Sequence, residues 1–130
     1  MGTVELTAGT FEQAIIDNDI VLVDFWASWC GPCRQFGPVF ERSAGVHADI
    51  LFGKVDTEAE QSLAAAAGIT SIPTLMAFRG GILVFSQPGA LPAAALEQVI
   101  AGVRGLDMEH VRRLVAEQAG GHAAEQTTKA

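Results

Sequence analysis

The run Ile20-Val21-Leu22-Val23-Asp24-Phe25-Trp26-Ala27 constrains the fold more than any other stretch. β-branched and aromatic residues dominate it, and it lacks the alternation of a strand with one wet face. It therefore predicts a central strand covered on both sides. Directly beyond it comes Trp29-Cys30-Gly31-Pro32-Cys33. Gly31 and Pro32 punctuate the chain, and Pro32 suits the first turn of a helix, where a missing N–H costs nothing. That helix is expected to run through Phe36, Val39, Phe40 and Ala44, with Pro38 kinking it.

The remaining elements arrange themselves around this unit. Residues 4–6 form a short first strand, and Thr10 to Gln13 has the spacing of a capping box that opens a helix ending near Asp17 to Asp19. Ile50 to Val55 reads as a second covered strand. Thr57 to Glu60 repeats the capping-box spacing before an alanine-rich helix that Gly68 stops. Strands at Thr74–Phe78 and Ile82–Phe85 flank Arg79-Gly80-Gly81 as a hairpin. Pro92 begins a helix with Leu96, Val99, Ile100 and Val103 on one face. Alternation followed by a hairpin predicts an α/β fold, a central mixed sheet with helices on both faces. Beyond Gly105 the composition changes. Asp107 can cap an extra helix over 106–119, with Met108, Val111, Leu114 and Val115 as its apolar positions. Gly120-Gly121 is expected to end it, leaving 120–130 as a disordered tail.

The chain has 130 residues, 49% of them hydrophobic, which suits one domain with one core. Its formal net charge of -7 argues against nucleic acid or an anionic membrane as partner, since both need a basic face. No apolar stretch approaches the roughly 18 residues that span a bilayer. Met1 to Glu5 resembles no secretory signal, so a cytoplasmic setting is expected.

Two cysteines cannot build a disulfide framework, and in a reducing compartment a pair two residues apart points to catalysis or metal binding. Zinc would need about four ligands. His47, His110 and His122 are scattered without ligand spacing, so no metal is expected. Disulfide exchange needs a thiolate, access to the target and a second thiol that resolves the mixed disulfide. Cys30, between a buried strand and a helix N-terminus, is placed for the first role, because unpaired N–H groups and the helix dipole favour its thiolate. Cys33, one turn on, is expected to be the more buried resolving thiol. Gly31 and Pro32 tune the pair. Trp29 either covers the sulfur or packs in the core. Asp24, a carboxylate in an apolar strand, should have a raised pKa and can serve Cys33 as a proton-transfer group; the alternative is a structural Asp bonded to backbone.

Val23-Asp24-Phe25-Trp26-Ala27-Ser28-Trp29-Cys30-Gly31-Pro32-Cys33, then Pro38, then Ser71-Ile72-Pro73-Thr74, Gly81 and Gly89 resemble the thioredoxin family over roughly residues 3 to 105. The resemblance implies the thioredoxin fold over residues 1–105. It implies protein-disulfide reduction, with electrons from NADPH through thioredoxin reductase to disulfide-containing protein substrates. It implies a redox-active Cys30–Cys33 pair with no bound cofactor, in a monomer. Lys54, 19 residues before Pro73, has the spacing of a family lysine that neighbours the buried aspartate; spacing alone makes it a strand-end surface charge. The resemblance makes Ile72–Pro73 cis beside the disulfide, with the Ile72 backbone as a docking edge for an extended substrate. Gly89 and Ala90 would complete the apolar surface around Cys30. Rival readings are an oxidase or isomerase of the same fold and a non-catalytic binding module.

Overall fold

The computed structural model describes the backbone of residues 2–129 and the side chains of residues 2–119. Its elements run β1 (Val4–Glu5), α1 (Phe11–Asp17), β2 (Ile20–Trp26), α2 (Gly31–Val46), β3 (Leu51–Asp56), α3 (Gln61–Ala66), β4 (Thr74–Arg79), β5 (Ile82–Pro88), α4 (Ala93–Arg104) and α5 (Met108–Lys129). Five strands form one mixed sheet ordered β1-β3-β2-β4-β5. β1, β3 and β2 are parallel; β4 runs antiparallel to β2, and β5 to β4. The expected α/β architecture is the one that forms.

β2 lies at the centre because every residue from Ile20 to Phe25 is buried. Strand alternation divides its side chains between two cores. Ile20 and Leu22 pack with Phe36, Phe40 and Ala44 of α2 and with Leu96 and Ile100 of α4. Val21, Val23 and Phe25 pack with Ile15 of α1 and, at the margin, Leu63 of α3. Burying each such side chain is worth about 1.5–3 kcal/mol. Helices therefore cover both faces, and the C-terminal end of β2 delivers the chain to Cys30. At the sheet edge, β1 closes on β3 so tightly that a Cβ on Gly53 would lie 2.9 Å from Leu6 Cγ.

Neither capping box forms. Thr10 Oγ1 accepts from Thr7 N at 2.9 Å and caps nothing in α1. Thr57 Oγ1 instead donates to Trp26 O at 3.0 Å, while the Asp56 carboxylate accepts from Glu58 N and Ala59 N. In both segments a nearer backbone partner outcompetes the helix end. The hairpin loop is two residues: Arg79 pairs with Ile82, and Gly80 and Gly81 both take positive φ, +58° and +81°. That is the primed turn that matches strand twist.

Asp107 caps α5, its Oδ1 accepting from His110 N at 3.2 Å. The junction before it is held by Arg79, whose Nη1 donates to Val103 O, Arg104 O and Leu106 O at 2.8, 3.0 and 3.1 Å. Gly80 N donates to Asp19 O, just before β2, so α5 is anchored at the end of the sheet away from Cys30. Leu114 and Val115 are exposed. The backbone is helical through Gly120-Gly121 to Lys129, past the expected stop. Each glycine costs about 1 kcal/mol against alanine, and the flanking Ala119, Ala123 and Ala124 favour helix. The tail expected over 120–130 falls outside the described side chains.

Candidate functional site

The turn after β2 builds the site. Cys30 is the N-cap residue of α2, and its Sγ accepts from Cys33 N at 3.2 Å. The sulfur thus takes the position a serine or aspartate oxygen usually fills at a helix start. Cys30 and Cys33 form a disulfide, with Cα atoms 5.2 Å apart. Gly31 and Pro32 occupy the first turn between them. Both cysteines are 4% exposed, so burial does not distinguish them as the sequence reading expected. Their surroundings do: Cys30 Sγ holds the helix-cap position and lies 3.7 Å from Ile72 O.

The Ile72–Pro73 bond is cis. Gly89, at φ +104°, donates its N–H to Pro73 O at 2.8 Å, which ties the end of β5 to the same loop. Ala90 follows it at the surface. Trp29 is 64% exposed, which removes the core-packing alternative. It lines a groove of about 350 Å³ with Thr57, Ile69 and Ile72. An apolar wall therefore adjoins the docking edge that the sequence reading placed at Ile72.

Asp24 is fully buried on the β2 face that packs under α2, two residues beyond Leu22. Neither carboxyl oxygen has a hydrogen-bond partner among the described residues, which removes the backbone-bonded alternative. Burial pushes its pKa up to about 7, against the pull of the Lys54 ammonium. Lys54 is the register partner of Asp24 across β2 and β3. Its Nζ sits 5.1 Å from the Trp26 ring centroid, and a Cβ on Gly37 would meet it at 3.9 Å. Lys54 is therefore a neighbour of the buried carboxyl, not a strand-end charge. The sequence reading missed Trp26 and Gly37. Trp26 was detectable as the next residue on the Asp24 face; Gly37 showed only as a glycine inside a helix.

Among the described residues no group of three or more His, Cys, Asp or Glu is placed to hold a metal ion. Among those residues no helix is long and apolar enough to cross a membrane. The arrangement suits two-electron thiol–disulfide exchange: a sulfur at a helix N-terminus, a second sulfur in bonding reach, and a carboxyl of raised pKa buried on the sheet face that the same helix covers.

Known proteins carry the same organisation. The family model described as Thioredoxin matches residues 2–102. A thioredoxin-named protein of Streptomyces coelicolor is 61% identical over 116 residues, 89% of this chain and 87% of that one. Thioredoxin 1 of a Nostoc species is 45% identical over 98 residues, 74% of this chain and 92% of its own. A mutant thioredoxin from Halobacterium salinarum superposes with a TM-score of 0.73 at 35% identity, covering 80% of this chain and 91% of that one.

Proposed function

The chain belongs to the thioredoxin family of thiol–disulfide oxidoreductases, and we propose that it reduces protein disulfides with electrons from NADPH delivered by a thioredoxin reductase. The observation that carries this reading is Cys30 Sγ at the α2 N-cap, beside Ile72 O and the open Trp29 groove.

An extended substrate segment pairs with the Ile72 backbone and packs on Trp29, with Gly89 and Ala90 completing the surface. The Cys30 thiolate attacks one substrate sulfur. The substrate S–S bond breaks, a mixed disulfide forms, and the other substrate sulfur leaves as a thiolate that takes up a proton. Cys33 then loses its proton to Asp24 through water and attacks Cys30 Sγ. The mixed disulfide breaks, the second substrate thiol departs, and the Cys30–Cys33 bond forms. Two electrons pass to the substrate. A pKa near 7 suits Asp24 to this exchange, because it can both accept and return a proton at neutral pH. Lys54 favours its ionised form. Gly31 and Pro32 keep the turn between the sulfurs short. The reductase returns two electrons and two protons to the pair.

The protein acts as a cytoplasmic monomer with no bound cofactor or metal. Residues 1–105 form the catalytic domain, and α5 is a helix appended to it. The test is NADPH consumption with purified thioredoxin reductase and insulin. Wild type should turn over, and Cys30→Ser and Cys33→Ser should not. No turnover by wild type with several reductases would remove the electron route.

A further inference from the structure

The groove beside Cys30 carries no charged residue: Trp29, Thr57, Ile69, Thr70, Ser71 and Ile72 line it. Charge discrimination near the attacking sulfur must then come from elsewhere. Arg34, the residue after Cys33, is the candidate. It is exposed, one turn beyond Cys30, and its backbone N donates to Cys30 O at 3.2 Å. Its Nη1 donates to Ser28 O at 2.9 Å, and its Nη2 would stand 4.0 Å from a Cβ on Gly31. The guanidinium is therefore held across the loop that presents Cys30.

Three other cations of the domain are committed. Lys54 lies over Trp26 beside Asp24, Arg79 caps α4, and Arg104 pairs with Asp49 at 2.6 Å. Arg42 stands about two turns further along α2, on a groove between α2 and α4. A guanidinium has five N–H donors in a fork that fits a carboxylate. Ser28 O takes one of them and pins the fork, so less side-chain freedom remains to be lost when an anion binds. The chain carries a net charge of -7, which disfavours acidic targets at long range. A pinned local cation offsets that repulsion at the reacting sulfur.

We propose that Arg34 is a specificity determinant that favours target disulfides whose attacked cysteine is flanked by a carboxylate. The proposal rests on the reductase reading, and the experiment separates the two. Pre-reduced protein is mixed with three disulfide peptides, identical except for Asp, Asn or Lys beside the attacked cysteine, and single-turnover rate constants are measured. Wild type should reduce the Asp peptide roughly two- to five-fold faster than the Lys peptide, the range of one exposed ion pair. Arg34→Gln should bring that ratio to about one, and roughly 0.5 M salt should do the same to wild type. Arg42→Gln should keep the wild-type ratio. An unchanged ratio in Arg34→Gln would overturn the proposal. So would an equal slowing on all three peptides, which would leave Arg34 only a support for the loop. If wild type reduced none of them, the reductase reading would fall, and the selectivity with it.

Discussion

Replacing Asp24 by Asn should make the protein more stable, and increasingly so as pH rises. The folded carboxyl has a pKa of about 7 against an ordinary 3.8, chiefly because it is desolvated. A raised pKa means the folded state holds the proton more tightly than the unfolded state across that window. Stability is then highest below about pH 4, falls as pH rises toward 7, and levels off above it. At about 1.4 kcal/mol per pH unit, the raised pKa of Asp24 lowers the stability of the native state by about 2 kcal/mol at pH 5, where only the unfolded carboxyl is ionised, and by about 4 kcal/mol at pH 8.5. Asparagine removes the charge and keeps the size. The polar amide it leaves unpaired shifts the difference by a pH-independent amount, so the slope carries the test. Urea unfolding of the oxidised protein, followed by tryptophan fluorescence between about pH 4 and 8.5, measures it. The variant's advantage should grow by several kcal/mol across that range. A difference that stays flat, or that favours wild type at alkaline pH, would mean the ionised carboxylate is stabilised in place, by Lys54 or by water, and would refute the desolvation argument.

Two further substitutions test the framework around the site. Gly53→Ala should lose about 1–3 kcal/mol by chemical denaturation, because its Cβ would lie 2.9 Å from Cγ of the buried Leu6; an unchanged midpoint would show that β1 can shift freely. Trp29→Ala should change stability by no more than about 0.5 kcal/mol, since the side chain is 64% exposed. It should nonetheless lower kcat/KM for protein disulfides roughly five-fold, about 1 kcal/mol of apolar contact, and an unchanged kcat/KM would take Trp29 out of the docking surface.

The sheet and the cysteine pair were legible because they depend on local composition. β2 reads as a central strand from its uninterrupted apolar run, and the helix after it from Gly31-Pro32. α1 starts after Thr10 as expected and α3 starts later than Thr57, but neither hydroxyl caps its helix, because each finds a partner outside it, Thr7 N in one case and Trp26 O in the other. The Trp26 O partner depends on how the chain folds back, which spacing does not encode. The placement of Lys54 between Trp26 and Gly37 is likewise tertiary. The expected difference in burial between Cys30 and Cys33 is absent, since the turn encloses both sulfurs and separates them by hydrogen bonding. The end of α5 was misplaced because Gly120-Gly121 lies among strong helix formers.

Division of labour between the two sulfurs is the central claim, and trapping tests it most directly. Reduced Cys33→Ser and Cys30→Ser should each be mixed with a disulfide-bonded protein substrate, quenched with acid and separated by non-reducing electrophoresis. The account predicts a mixed disulfide through Cys30 in Cys33→Ser and none in Cys30→Ser. A stable adduct through Cys33 in Cys30→Ser, with none in Cys33→Ser, would contradict it.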